Sequence, residues 1–215
     1  MKIDWNFLLS VITIIVASYA LIQTHHQMKL SNKQHLFDKR MENYLIAMGL
    51  IQLYRNNCKD FDKDFDEEKD EPIFALKSYF ICLTNNTYLE EIITAIDNPL
   101  KNPGHKEFLI KLEKLNEVGT KIKFLFSDNA SDALGDFVFS YKELLFSMYQ
   151  YQILLNNMYE INKDHKLSLE EIQQKFGEPK HRLKLKRAFQ NLKQADDLLK
   201  KKNVEEIIKN QIKLL

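Results

Sequence analysis

Residues 60–71 carry carboxylates at Asp60, Asp62, Asp64, Asp66, Glu67, Glu68, Asp70 and Glu71. A calcium loop needs oxygen ligands at positions 1, 3, 5 and 12, the last a bidentate glutamate, and Asp60, Asp62, Asp64 and Glu71 stand at those offsets. The sixth position, where glycine permits the sharp turn, is Phe65, and Pro72 follows the run directly. The match is partial. The run is expected first as a solvated acidic loop, with a bound cation as the alternative.

The six histidines, His25, His26, His35, His105, His165 and His181, form no His-Glu-x-x-His pair of the zinc-protease kind. A di-iron bundle needs two Glu-x-x-His turns, whereas the sequence has only Glu178 to His181, straddling Pro179. His25 and His26 are expected as interfacial polar residues, with pH sensing as the alternative. Cys58 and Cys82 lack Cys-x-x-Cys spacing and are expected as free thiols. The sequence has no Gly-x-Ser-x-Gly elbow, glycine-rich phosphate loop or dinucleotide fingerprint. In one class of helical ribonucleases an arginine is followed six residues on by a histidine, but Arg55 is followed there by Phe61. No catalytic residue and no cofactor is expected, and the chain reads as a non-enzymatic protein.

The C-terminal residues 175–215 hold twelve basic and five acidic side chains. Lys180, Arg182, Lys184, Lys186 and Arg187 crowd about two helical turns and alternate with Leu183 and Leu185. The whole chain has a formal net charge of +1, so it exerts no long-range pull on polyanions and any anion contact is local. The cluster is expected as a solvated face, with membrane lipid headgroups next and a protein partner after that. It has neither a base-reading motif nor an aromatic stacking platform, so no specific nucleic acid is expected.

Helices must position these residues. Five glycines and four prolines in 215 residues fall far below the roughly 12% that the two contribute on average. That is too few for the chain reversals of a sandwich or a barrel. The expected class is all-α: an N-terminal transmembrane helix continuing into a cytoplasmic antiparallel helical bundle. Residues 5–23 carry no charge and form about 28 Å of helix, close to the roughly 30 Å of a bilayer's hydrocarbon. Trp5, Phe7, Leu8, Ile14, Ile15 and Tyr19 are the expected lipid contacts, with Trp5 and Tyr19 at the two interfaces. Ser18-Tyr19-Ala20 resembles a signal-peptidase site, but Lys29, Lys33, Lys39 and Arg40 follow the span instead of preceding it. A retained anchor in a bacterial inner membrane is therefore expected, with the N-terminus outside and the body cytoplasmic.

Residues 1–24 are assigned to the anchor, 25–57 to a juxtamembrane helix, 58–71 to the acidic loop and 72–215 to the bundle. No glycine or proline separates the span from Gly49. The juxtamembrane helix carries an apolar stripe of Leu30, Phe37, Met41, Tyr44, Met48 and Ile51. That stripe either joins the core of its own bundle, the favoured reading, or pairs with a second copy. Pro72 is expected to open a helix ending near Thr84, and Thr87 with Glu90 to cap a short helix that stops at residues 97–99. A helix over 105–117 is expected to break at Gly119, with 121–126 belonging to it or to a second helix. Residues 132–162 give the central helix. Ser168 with Glu171 makes a capping box, Gly177 ends that short helix, Pro179 separates it from a basic helix over 180–202, and 204–215 closes the chain.

Residues 29–54, KLSNKQHLFDKRMENYLIAMGLIQLY, resemble the juxtamembrane region of short, mostly uncharacterised bacterial proteins with one N-terminal span and a helical cytoplasmic body. Phe37, Asp38, Arg40 and Tyr44 carry the resemblance, and FVFSYKELLFSMYQYQ is similar to their later long helix. The resemblance implies membrane anchorage and a helical fold, and the general habit of small membrane effectors suggests phage defence. Asp38 and Arg40 are expected to form an ion pair or a cap within the bundle. The expected function is a membrane-anchored interaction or effector protein that self-associates or meets a protein partner. An adaptor or sensor for a cytoplasmic protein is the alternative, and an enzyme of unrecognised type the third.

Overall fold

The computed structural model describes residues 5–65, 71–164 and 166–213. Its helices are α1 (Trp5–Phe65), α2 (Leu76–Thr84), α3 (Gly104–Leu125), α4 (Asn129–Ile161), α5 (Leu169–Phe176), α6 (Glu178–Lys201) and α7 (Val204–Lys213), with a 3-10 turn at Glu90–Ile92. The protein is all-α, and no strand occurs among the described residues. At 61 residues, α1 is about 90 Å long. Its first half stands clear of the other helices and its second half is built into the bundle.

α4 is the hub, lying along α3 on one side and α6 on the other. α3 and α4 are antiparallel: Phe108 stacks on Tyr149 at 4.3 Å towards one end, and Lys123 pairs with Asp136 at 2.6 Å towards the other. Arg55 of α1 meets Asp196 late in α6, while Phe65 stacks on Phe189 earlier in it, so α1 and α6 are also antiparallel. Tyr54, Phe61 and Phe65 of α1, Tyr79 of α2, Phe137 of α4 and Phe189 of α6 form one chain of ring contacts with centroids 4.7–6.5 Å apart. Buried Tyr141 donates its hydroxyl to the Leu83 carbonyl at 2.6 Å, satisfying a free carbonyl in the last turn of α2.

Several boundaries differ from the sequence-based expectation. α1 does not stop near residue 57: Phe61 and Phe65 continue its buried face, so the first part of the expected acidic loop is helical. Pro72 does not open a helix, since α2 starts at Leu76. Thr87 caps nothing in the short segment that follows. Asn86 takes that place, its Oδ1 accepting the Leu89 N–H at 2.8 Å, and the segment forms only a 3-10 turn. Pro179 lies in the first turn of α6, and Gly177, in the left-handed region at φ 63°, marks the break between α5 and α6. The Ser168–Glu171 capping box is present as expected, with both reciprocal bonds made.

Gly119 does not end a helix. It lies inside α3, where the helix meets α4. A Cβ there would come within 2.6 Å of the Phe139 ring, and a Cβ on the facing Gly135 would lie 2.9 Å from the Gly119 carbonyl oxygen. The two glycines let the backbones approach. Gly135→Ala is expected to destabilise the protein by about 1–3 kcal/mol, because a backbone oxygen cannot yield. Gly49→Ala places its methyl 3.4 Å from Asn86 Nδ2 and is expected to gain about 0.5–1 kcal/mol of helix stability. Thermal unfolding in detergent, followed by circular dichroism, would show Tm moving in opposite directions by roughly 2–4 °C per kcal/mol.

Candidate functional site

α1 is, among the described residues, the one helix long and apolar enough to cross a membrane. Every described side chain from Trp5 to His35 is exposed, including Trp5, Leu8, Ile14, Ile15 and Tyr19; the side chain of Phe7 lies outside the described set. Ser10, Thr13, Ser18 and Thr24 each donate at 2.8 Å to the carbonyl four residues earlier. Those bonds leave no hydroxyl proton seeking water, which suits a helix in hydrocarbon.

The expected association stripe divides on entering the bundle. Leu30 and Phe37 are exposed, Met41, Tyr44 and Met48 are half-buried, and Ile51 is buried in the protein's own core. It is therefore not an open seam along residues 30–51. The line that packs innermost is rotated by about one residue, running through Asn43, Ala47, Leu50 and Tyr54.

Arg40 sits where α1 enters the bundle. Its Nε donates to the Leu125 carbonyl at 2.6 Å and its Nη1 to the Gln211 carbonyl at 3.3 Å, with the guanidinium 5.5 Å from the Phe126 ring centre. It caps the carbonyl ends of α3 and α7 together, the cap expected of it. About four turns further on, Arg55 pairs with Asp196 of α6 at 2.7 Å and Glu205 of α7 at 2.8 Å, while Lys200 reaches the same aspartate at 2.6 Å. Burial alone would lower the Arg55 pKa, but hydrogen bonds to Asp196 and Glu205 more than offset it and hold the guanidinium above its ordinary value. Tyr44 is pushed up by burial, with Glu205 and Glu206 adding to the effect.

The basic cluster lies at the opposite end of the bundle. Arg182 donates to the Glu71 carbonyl at 2.8 Å, just past the end of α1, roughly 60 Å of helix beyond Gln23. The cluster and the apolar segment of α1 thus lie at opposite ends of the molecule's long helix. Nor are the five residues one surface. Lys180, Lys184 and Arg187 are exposed and Lys186 is half-buried, but Arg182 is buried beside the fully buried Glu178 carboxylate, its Nε 3.4 Å from Oε1. Tyr151 donates its hydroxyl to the same carboxylate and accepts the Ile73 N–H at 3.3 Å. Burial, then the hydrogen bond to Glu178 and that group's charge, pushes the Tyr151 phenol well above its ordinary range. The second oxygen, Glu178 Oε2, is buried with no hydrogen-bond partner.

Beside this network, a groove of about 420 Å³ opens between α2, α4 and α5, walled by Phe74, Leu155, Met158, Tyr159, Leu169 and Ile172. Its volume suits a small ligand or an inserted side chain. Its polar lining is partly occupied: Gln152 donates to Asn156 at 2.8 Å, and Asn162 exchanges two bonds with the Leu167 backbone.

The acidic run is not arranged as a calcium loop at its start. Phe65, at the sixth position, is helical and 2% exposed. Burying Phe61 and Phe65 holds the backbone helical where the ion would need a turn. The side chains of Asp60, Asp62 and Asp64, all of residues 66–70, and His165 lie outside the described set. Among the described residues no group of three or more His, Cys, Asp or Glu is placed to hold a metal. His25, His26 and His35 are exposed on α1, and His105 Nδ1 lies 2.9 Å from the Tyr149 hydroxyl. Cys58 and Cys82 are half-buried and neither forms a disulfide, and the Cys58 thiol donates to the Arg55 carbonyl at 3.6 Å. Sequence reasoning missed the Arg55, Glu178 and Lys111 nodes. Buried Lys111 donates to the Tyr88 carbonyl at 2.7 Å and pairs with Glu91, although its neighbours in sequence are those of a solvated helix face.

No protein-family model matches the chain, and neither a curated protein nor a solved structure matches it.

Arg182→Ala strips the buried Glu178 of its cation and is expected to cost about 3–5 kcal/mol of stability in denaturant unfolding. Lys180→Ala and Arg187→Ala, at exposed positions, are expected to stay within about 0.5 kcal/mol of the parent.

Proposed function

We propose that the protein is a single-pass, membrane-anchored helical interaction protein without enzymatic activity. Its N-terminus lies outside and its bundle in the cytoplasm of a bacterial cell. The observation that carries this reading is the division of α1. As far as His35 its described side chains are exposed on every face, and from Asn43 onward it is built into the core. The exposed part begins with the uncharged residues 5–23, an apolar surface that lipid would remove from water. Lys29, Lys33, Lys39 and Arg40 follow it on the bundle side, supporting a cytoplasmic bundle by the positive-inside rule.

A protein partner is the proposed ligand. Phe74 and Tyr159, 72% and 67% exposed at the groove far from the span, are large apolar side chains of the kind that mark interaction sites. Self-association through the span is a second reading. Ser10, Thr13, Ala17, Ala20 and Thr24 recur at steps of three and four, and small residues on one face let helices pack closely in lipid. Crosslinking in native membranes separates the two readings: homomeric ladders favour self-association, and a monomer joined to another protein favours the partner.

The full chain is expected to stay in the membrane pellet through alkaline carbonate washing, and the chain lacking residues 1–24 to leave it. Recovery of the full chain in the supernatant would rule out the anchor. With Cys58→Ser and Cys82→Ser as background, a cysteine introduced by Phe124→Cys is expected to react with a membrane-impermeant maleimide only after permeabilisation. Reaction in intact cells would reverse the orientation.

A further inference from the structure

Residues 24–35 of α1 are exposed on all sides, and no other described element packs against them. They form about 18 Å of bare helix between the apolar segment and the bundle. Bends and hinges in helices arise at proline, at glycine or where the hydrogen-bond ladder is interrupted. Neither residue type occurs between Trp5 and Met48, and α1 is continuous through the whole stretch.

The lower end of this bare segment is fixed rather than loosely attached. Arg40 bonds the carbonyl ends of α3 and α7, where the helix dipoles concentrate partial negative charge. The Gln211 side chain then closes the ring: its Oε1 accepts the Ser127 N–H at 3.0 Å and its Nε2 donates to the Ser127 carbonyl at 2.9 Å. α1, the α3–α4 connection and the last turns of α7 are thereby joined at one node, the part of the bundle nearest the apolar segment.

We infer that α1 is a rigid lever between bilayer and bundle, so that a rise, tilt or rotation of the span is delivered to the base of the bundle at Arg40 instead of being absorbed by a linker. The inference rests on the anchored reading above and adds a mechanical property to it. Through Arg55, about four turns deeper, the same helix also holds α6 and the start of α7, so the displacement reaches one further element of the bundle.

The test uses the full chain in vesicles of phosphatidylcholine and phosphatidylglycerol. A donor dye is attached through Phe124→Cys in the Cys58→Ser, Cys82→Ser background, and acceptor dyes are carried on the lipid headgroups. Two, four or seven alanines are inserted between Lys33 and Gln34. The donor is expected to rise with each insertion, by about 10 Å for seven residues at 1.5 Å per residue, whereas seven Gly-Ser residues are expected to broaden the distance without the same rise. A donor height independent of the number of alanines overturns the lever. Independently, spin labels at Gln34→Cys and Phe124→Cys are expected to give one narrow distance in the parent and a broadened one in Arg40→Ala; equal widths remove Arg40 from the device. Loss of the full chain from carbonate-washed vesicles overturns the anchor and the lever together, while retention with an unresponsive donor overturns the lever alone.

Discussion

On the anchored reading proposed above, one backbone has to satisfy two surroundings in α1. In hydrocarbon no water pairs with the peptide groups, so the ladder must be complete and the surface apolar all round. In the bundle the same helix needs one apolar face and a polar back. The sequence changes from the first rule to the second between Thr24 and Leu36, with polar and basic residues that suit neither core, and it does so without a glycine or proline. Because the helix is not interrupted, the direction of the apolar segment fixes the direction of every element packed on it. α1 and α4 run one way, α3 and α6 the other, and the α3–α4 connection is brought to the end where α1 emerges.

Apolar burial supplies most of the stability of such a bundle, but it does not by itself fix how far one helix slides along another. Three charged nodes do that. Arg40 joins α1 to the ends of α3 and α7, Arg55 joins it to α6 and α7, and Glu178 with Arg182 joins the start of α6 to α4 and to the chain before α2. A buried ion pair is worth little against a hydrophobic pair of the same shape, because desolvation offsets the Coulomb gain. Losing one member costs far more, since the other is left charged and dry. The nodes therefore act less as a source of stability than as a penalty on every misregistered packing. Two of the nodes already hold a buried polar atom without a hydrogen-bond partner, Arg55 Nη2 and Glu178 Oε2.

The parts of this arrangement legible in the sequence are those decided between near neighbours. The Ser168–Glu171 box forms within one turn, and Gly177 ends α5 because a left-handed residue is needed there. The apolar run is plain from composition alone. The end of α1 was hidden because Phe61 and Phe65 alternate with acids that read as a loop, and only the rings of Tyr79 and Phe189 make that segment worth burying. Asn43 and Ala47 hid the buried line of α1, being polar and small, while the bulkier Tyr44 and Met48 beside them drew the expected stripe one position away. Gly119 reads as a helix end until Gly135 and Phe139 are brought opposite it. Arg40 was recognisable as a cap, but its partners lie 85 and 171 residues away in sequence and could not be named.

The basic helix shows why position outweighs composition for charge. Cations near a membrane-spanning segment suggest an anionic leaflet, yet exposed charges act over a screening length of about 8 Å at physiological ionic strength. The start of α6 lies several such lengths from the apolar segment, so its charges do not act on the surroundings of that segment directly. Two described residues of the acidic run, Phe65 and Glu71, touch α6, one through the Phe189 ring and the other through Arg182. These described points of the run thus meet the basic helix at one end of the bundle. The near-zero net charge of the whole chain thus hides a local basic excess, and the apolar groove lies at the same end of the bundle as the start of that helix.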